Sequence, residues 1–269
     1  MAGIVIFTLI FPTSLSGQKE EDQMIFLATR TGLLNSVELP AKGELKFNVG
    51  HRFGELSGGL YEFFGLDQAT IRLALDWGAT DWLGIAFGRS TWEKTYDLAG
   101  KAALIRKKTN NYEFAVTGLL GWSVNTLKDY YPEDEEDIWT RSSFSAQVLV
   151  AASRGRFSLQ LSPLIFRNNY DPRLEGDLNL FSLPIAGSIR ITEMTSFTAE
   201  YVAVFDKARF GGENPLTFSF DIDTGGHQFQ LIFSNSRGLT EKTVLTNTDG
   251  KWVDGEIYFG FNLVRTFYL

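Results

Sequence analysis

Apolar and polar side chains alternate in about twelve segments along this chain, and the links between the segments run long, short, long, short to the end. Between Gly43 and Phe53, for example, Leu45, Phe47, Val49 and Phe53 fall on one face and Lys46, Asn48 and Arg52 on the other. The same two-residue period recurs in the segments that follow, from Ala69–Gly78 through to the last, from Gly255 to Phe267. A period of two is the signature of a strand. The short links fall near residues 79, 107, 153, 192 and 223. A meander sorts its loops by length in this way when it crosses a bilayer repeatedly, with tight turns on one side and long loops on the other. Hydrocarbon offers no partner to an open sheet edge, so such a meander has to close on itself. The expectation is an all-β chain: an up-and-down antiparallel transmembrane β-barrel of about 12 strands over residues 43–269.

Composition removes the competing classes. The 269 residues are 44% hydrophobic and 21% charged, too apolar for a disordered chain. The long apolar run is confined to the N-terminus, which speaks against a bundle of membrane helices. The 23 Phe and 26 Gly suit strands with tight turns and an apolar outer belt. A net charge of −7 with no basic patch gives no footprint for nucleic acid. Without cysteine there is no disulfide frame, thiolate chemistry or lipid-anchoring cysteine.

The run from Ala2 to Phe11, followed by small residues up to Gly17, reads as a signal peptide over residues 1–17. Residues 18–42 show no period and are expected to form a periplasmic N-terminal arm or plug. With a leader and an even strand count, both termini belong in the periplasm and the barrel in the outer membrane, with outer-membrane lipid as its surroundings. Trp77, Trp82, Trp92, Trp122 and Trp139 near strand ends agree with two interfacial girdles.

Strand parity assigns Lys46, Arg52, Arg72, Asp76, Asp97, Lys101, Glu113, Arg141, Arg190 and Glu200 to the lumen. Buried charges of both signs have to be paired or hydrated. Either a salt-bridged, filled interior or a polar conduit for a small solute satisfies that requirement. Pro163 and Pro184 lie nearly equidistant from the centre of 167–179, so they are expected to face each other on neighbouring strands. Neither can donate to the ladder, and a bulge or weak seam, with a lateral opening there, is the expectation.

No residue set points to catalysis, a cofactor or a metal. His51 and His227 fall at opposite ends of strands, about 25 Å apart across the hydrocarbon, and no nucleophile elbow, phosphate loop or zinc-helix motif occurs. The stretch from Asp221 to Gly226 begins like a calcium loop but lacks its later ligands, so it reads as a hairpin turn. The acidic run Glu133 to Asp137 reads as a solvated loop, with the holding of divalent cations at the cell surface as the alternative.

Several stretches carry a family resemblance: Gly50-His51-Arg52-Phe53-Gly54; Phe64-Gly65-Leu66-Asp67 with Ala69-Thr70-Ile71-Arg72; Gly88-Arg89-Ser90 with Glu93-Lys94-Thr95-Tyr96-Asp97; and Asn235-Ser236-Arg237-Gly238-Leu239-Thr240-Glu241. From about residue 29 to the end the chain resembles an uncharacterised domain-of-unknown-function family of outer-membrane β-barrels from Bacteroidetes-type bacteria. The resemblance implies a barrel in the outer membrane and brings no substrate or catalytic residue. Barrels in general usually end on an aromatic residue, whereas Leu269 follows Phe267-Tyr268 here. The leading functional expectation is a small channel or transporter for a small polar or amphiphilic solute. A structural or docking barrel whose outer loops bind a partner comes second. An outer-membrane enzyme and a secreted soluble β protein come last.

Overall fold

The computed structural model describes residues 24–128, 130–131, 137–171, 173–174, 176–205, 207 and 211–269. The expected leader, residues 18–23 and the acidic run up to residue 136 lie outside the described residues.

The strands are β1 (Glu44–Glu55), β2 (Ala69–Gly78), β3 (Leu83–Ser90), β4 (Tyr96–Lys108), β5 (Glu113–Val124), β6 (Ser142–Arg154), β7 (Phe157–Leu161), β8 (Leu164–Asp171), β9 (Gly176–Thr192), β10 (Thr195–Val204), β11 (Leu216–Asp223), β12 (His227–Ser234) and β13 (Tyr258–Tyr268). Each pairs antiparallel with its neighbour, and β13 returns to β1, so no edge is left open. The 13 segments fill twelve wall positions, because β7 and β8 lie end to end between β6 and β9. Short turns gather at one end of the barrel. Longer loops lie at the other, including residues 56–68 and 235–257.

Burial alternates along the strands, as in β12, where every second residue from Gln228 to Ser234 is buried. Most outward residues are apolar, and the large ones are exposed: Leu120 is 69% exposed and Ile165 62%. A belt of this kind is a liability in water and is favourable in hydrocarbon. Near the loop end the belt turns aromatic, with Phe53 stacked on Phe259 at 5.6 Å and Phe233 against Phe259 at 5.3 Å.

Three departures from the simple alternation matter. Residues 167–179, polar and without a clear period in the sequence, are mostly strand: β8 reaches Asp171 and β9 starts at Gly176. The ladder extends past the apolar belt, and beyond it an outward side chain no longer has to be apolar. In β4 an extra residue at Leu104 shifts the register between Ala103 and Ile105. Leu104 and Ile105 both end up exposed, and the alternation resumes one residue late.

The third departure is the proline break. Pro163 opposes Leu183, and Pro184 opposes Ser162, because the register of β7 and β8 against β9 is continuous across the gap. An offset of one residue puts the two rings on opposite faces, so they do not face each other. No bulge forms there, and β9 runs unbroken through Pro184. Two ladder bonds persist, Val148 N–H to Pro163 O (3.1 Å) and Ser162 N–H to Pro184 O (2.9 Å). Their reciprocal bonds would need a proline N–H. The result is a two-residue thinning of the wall with its register intact.

The barrel interior is filled. Residues 24–41 hang inside it as a hairpin, closed by the Arg30↔Asn35 bridge and by Thr31 N–H to Leu34 O (3.0 Å). The β12–β13 loop folds over the other end and carries α1 (Glu241–Thr246), whose residues 242–246 are all buried. Two apolar clusters join these inserts to the wall. One combines Leu33 and Leu34 with Leu164, Phe166, Leu178, Leu180, Val202, Val204, Val244 and Leu245. The other combines Ile25, Phe26 and Val37 with Leu119 and Leu149.

Candidate functional site

Among the described residues, buried polar side chains converge in the lumen. Its first component is the arm. Buried main-chain groups need partners, and a lone hairpin satisfies only part of its own, so wall side chains supply the rest. Gln160 accepts from Val37 N–H (2.7 Å) and donates to Asn35 O (2.9 Å). Gln228 donates to Leu27 O (2.8 Å) and Gln230 to Arg30 O (3.0 Å). Ser158 donates to Ile25 O, Thr117 to Val37 O and Lys101 to Glu38 O. Arg190 holds Met24 O where the arm begins, beside a polar recess of about 150 Å³ at the short-turn end.

Glu200 grips the hairpin tip. Its buried carboxylate accepts from Thr31 Oγ1 (2.6 Å), Leu33 N–H (2.8 Å) and Leu34 N–H (3.3 Å). Gly32 sits at φ +141°, and a Cβ there would come within 3.3 Å of Glu200 Oε2 and 3.2 Å of Thr217 Cγ2. Only glycine reaches that backbone and leaves the carboxylate its room. From the opposite wall Arg52 binds Asn262 Oδ1 (3.0 Å), and both side chains reach Gly32 O at 3.4 Å.

The second component is the wall from β2 to β6. Its inward side chains are mostly small: Ala74, Gly84, Ala86, Gly88, Ala99, Gly121, Ser123, Ser143 and Ser145. Between this wall and the arm lies a cavity of about 40 Å³, bordered by Arg30, Arg72, Asp76, Asp97, Lys101 and Glu241. Arg72 on β2 reaches over β3 to Asp97 on β4, with Nε 2.9 Å from Oδ2 and a second, parallel contact. The crossing is open because Gly88 lies beneath it: a Cβ there would sit 2.7 Å from the guanidinium carbon.

The third component is the lid formed by the β12–β13 loop. Thr240 and Thr243 cap the start of α1 reciprocally, and Arg173 and Lys207 donate to its last carbonyls, at Thr246 and Leu245. Lys242 makes a buried ion pair with Glu93 (2.7 Å) in the β3–β4 loop. Asn125 and Tyr130 also donate to that carboxylate, at 3.0 and 3.2 Å. Burial, and then the Glu93 charge, push the Tyr130 hydroxyl pKa up, so it remains a donor. Glu93 itself adopts φ +52°, a strained value for a residue with a Cβ. Asn35 at the arm binds Glu241 of α1 (2.8 Å), which ties plug to lid.

Lys46, Arg52, Arg72, Asp97, Lys101, Glu113 and Glu200 are buried on inward strand positions, and Asp76 and Arg190 are half-buried there. They do not form one cluster. Arg72, Asp76, Asp97 and Lys101 meet at the cavity; Arg52 and Glu200 meet the hairpin tip; Glu113 and Arg190 stand at the short-turn end. Arg141 is a correction: it precedes β6, donates to Asn125 O and Leu127 O, and lies over the Tyr131 ring. Parity was carried past the start of the strand, into a loop that has none. His51 stacks on Phe261 in the aromatic belt near the loop end, and His227 lies beside Arg265 at the short-turn end.

Sequence reasoning missed Arg106, which binds Glu38 (3.0 Å) and Glu113 (2.7 Å). The Leu104 bulge moves it from the outward to the inward phase, and a count by twos cannot see a bulge. Glu93, Lys242 and Glu38 were missed because they come from loops and the arm. Gln160, Gln228 and Gln230 were legible by parity, as uncharged polar residues on inward positions. Among the described residues no group of three or more His, Cys, Asp or Glu side chains is arranged to hold a metal ion.

No curated protein matches the chain. Among solved structures, a NanC porin is 10% identical, covers 84% of this chain and 99% of its own, and superposes with a TM-score of 0.51. That likeness concerns the fold. A KdgM porin (7% identical, 84% and 99% covered, TM-score 0.48) and outer membrane phospholipase A from Escherichia coli (11%, 88% and 98%, 0.49) also match. The family model described as "Membrane bound beta barrel domain (DUF5777)" matches residues 26–267, almost the whole described chain. With a closed antiparallel wall, an apolar belt outside and a polar, plugged lumen inside, the chain belongs to this family of membrane-bound β-barrels of unknown function.

Proposed function

We propose that this barrel is an outer-membrane conduit for a small polar solute, shut in this conformation by the N-terminal arm and the α1 lid. The observation that carries the reading is the asymmetry of the lumen. The β2–β6 wall is lined with small side chains and ringed by charges, and a cavity bordered by the arm, the wall and α1 lies against it. That cavity has room for about three waters at roughly 10–15 Å³ each, so passage requires the arm to move. Both legs of the hairpin start at the short-turn end, and withdrawal toward that end breaks no ladder bond of the wall. With the short turns in the periplasm, the arm is a periplasmic plug. Three cations and three anions border the cavity, a balance that suits a neutral or zwitterionic solute over an ion of one sign.

Planar-bilayer recordings test this reading. The intact chain is expected to be silent. The Leu33→Asp, Leu34→Asp double variant, with the hairpin tip expelled from its apolar cluster, is expected to conduct. Silence from a variant whose arm has become protease-sensitive and whose barrel still shows heat-modifiable gel mobility would refute the conduit. One observation favours a non-transport barrel: the two apolar clusters pack the arm as a soluble core is packed. On that reading the double variant loses the folded barrel and does not open it.

A further inference from the structure

We propose that the lumen is a binding site for an extended polypeptide hairpin, recognised mainly through its main chain, and that residues 24–41 are its resident and replaceable occupant. The inference deepens the conduit reading by naming the class of ligand that closes the lumen, and it does not require that any solute pass.

The argument lies in what the wall touches. Side chains from eight strands bind main-chain atoms of the arm, among them Thr117 on β5, Ser158 and Gln160 on β7, Glu200 on β10, Gln228 and Gln230 on β12. Arm side chains make few polar contacts with the wall, chiefly Thr31 with Glu200 and Glu38 with Arg106. Gln160 shows the principle. A residue of a parallel strand donates to the carbonyl of one partner residue and accepts from the N–H two residues further on. The Gln160 amide does this with Asn35 O and Val37 N–H. It stands in for a strand, using a group that carries both a donor and an acceptor.

Main-chain bonds supply affinity without reading sequence, and pockets supply what selectivity there is. Here the pockets ask for little. The tip wants a residue free to adopt φ near +141°, then two apolar side chains for the cluster that holds Leu33 and Leu34. The base wants apolar residues where Ile25, Phe26 and Val37 lie. Any hairpin of that form arriving from the short-turn end meets the same partners.

The experiment starts from the full chain, with a specific protease site inserted between the exposed residues Ala41 and Lys42 and cut after folding. The probe is a synthetic peptide of residues 24–41, labelled with a fluorophore at its first residue and followed by anisotropy. The proposal expects saturable uptake, competed by unlabelled peptide. A peptide with Thr29 and Leu39 changed to Ala, neither side chain being one that ties the arm to wall or lid, should compete within about threefold. The cut Gln160→Leu barrel should bind about tenfold more weakly, as expected for losing two hydrogen bonds. If that variant fails to fold, judged by heat-modifiable mobility, Gln230→Leu and Thr117→Val carry the same reading with smaller losses. An arm that never exchanges after cleavage would overturn replaceability. Unchanged affinity in the wall variants, with binding abolished by the alanine peptide, would overturn main-chain recognition. Uptake of the peptide by a barrel that never conducts would leave this inference standing and remove the conduit.

Discussion

The two sides of the lumen are built on different principles. From β8 to β10 the inward side chains near the loop end are Leu164, Phe166, Leu178, Leu180, Val202 and Val204, and they close on the hairpin tip and α1 as a hydrophobic core. From β2 to β6 those that face the cavity are small or charged and leave space, and only deeper in do Leu119 and Leu149 pack on the arm. The first wall fixes the plug by excluding water. The second holds its charges by pairing and keeps a cavity. A barrel designed only to be solid would have no use for the second wall, and a permanently open pore would have no use for the first. The difference separates a wall that packs on the hairpin tip from one that leaves space beside it.

The harshest way to break the comparison is to place the same charge on each side. Leu34→Asp puts an unpartnered carboxylate into the apolar cluster and is expected to cost the arm about 4 kcal/mol. In limited proteolysis this reads as cleavage near residue 41 at least a hundredfold faster. Ser145→Asp faces the cavity side and is expected to change that rate less than about fivefold. Equal effects would mean the two walls are not different.

A step smaller is the ion pair that spans the cavity wall. Arg72→Ala leaves Asp97 without its partner and is expected to cost about 3 kcal/mol in chemical unfolding from detergent micelles. The Arg72→Ala, Asp97→Ala double variant should lose less than the sum of the singles. Gly88→Val should match the single loss with neither charge touched, because a side chain there blocks the crossing. Smaller again, Gly32→Ala strains the tip without removing a contact and is expected to weaken arm retention by about 1–2 kcal/mol. Smallest of all, Pro163→Val restores an N–H opposite Val148 and is expected to raise the unfolding midpoint by about 1 kcal/mol or less. A loss of stability there would mean the thinned wall does more than omit a bond.

Much of this was legible in advance, and the residues show why. Leu45, Phe47 and Val49 against Lys46 and Asn48 state which face meets hydrocarbon, because neighbouring strand residues point opposite ways and a membrane tolerates few polar groups outside. That rule carries from β1 to β13 wherever the ladder is regular. It fails at Leu104, where one extra residue reverses the phase and brings Arg106 inward. It fails at Arg141, which stands beyond the ladder, and it has nothing to say of Met24 to Ala41, which pair with no wall strand.

The sequence by itself determined the wall: closed, antiparallel, apolar outside and polar within, since each of those follows from local alternation and from the solvent on either side. Only the tertiary structure decided how the interior is filled. Whether Glu200 meets water or the Leu33 and Leu34 amides, and whether Arg72 finds Asp97 across Gly88, depends on which strands the closed ring sets opposite one another and which segment threads it. Those are distances between residues far apart in the chain, and no periodicity along the chain encodes them.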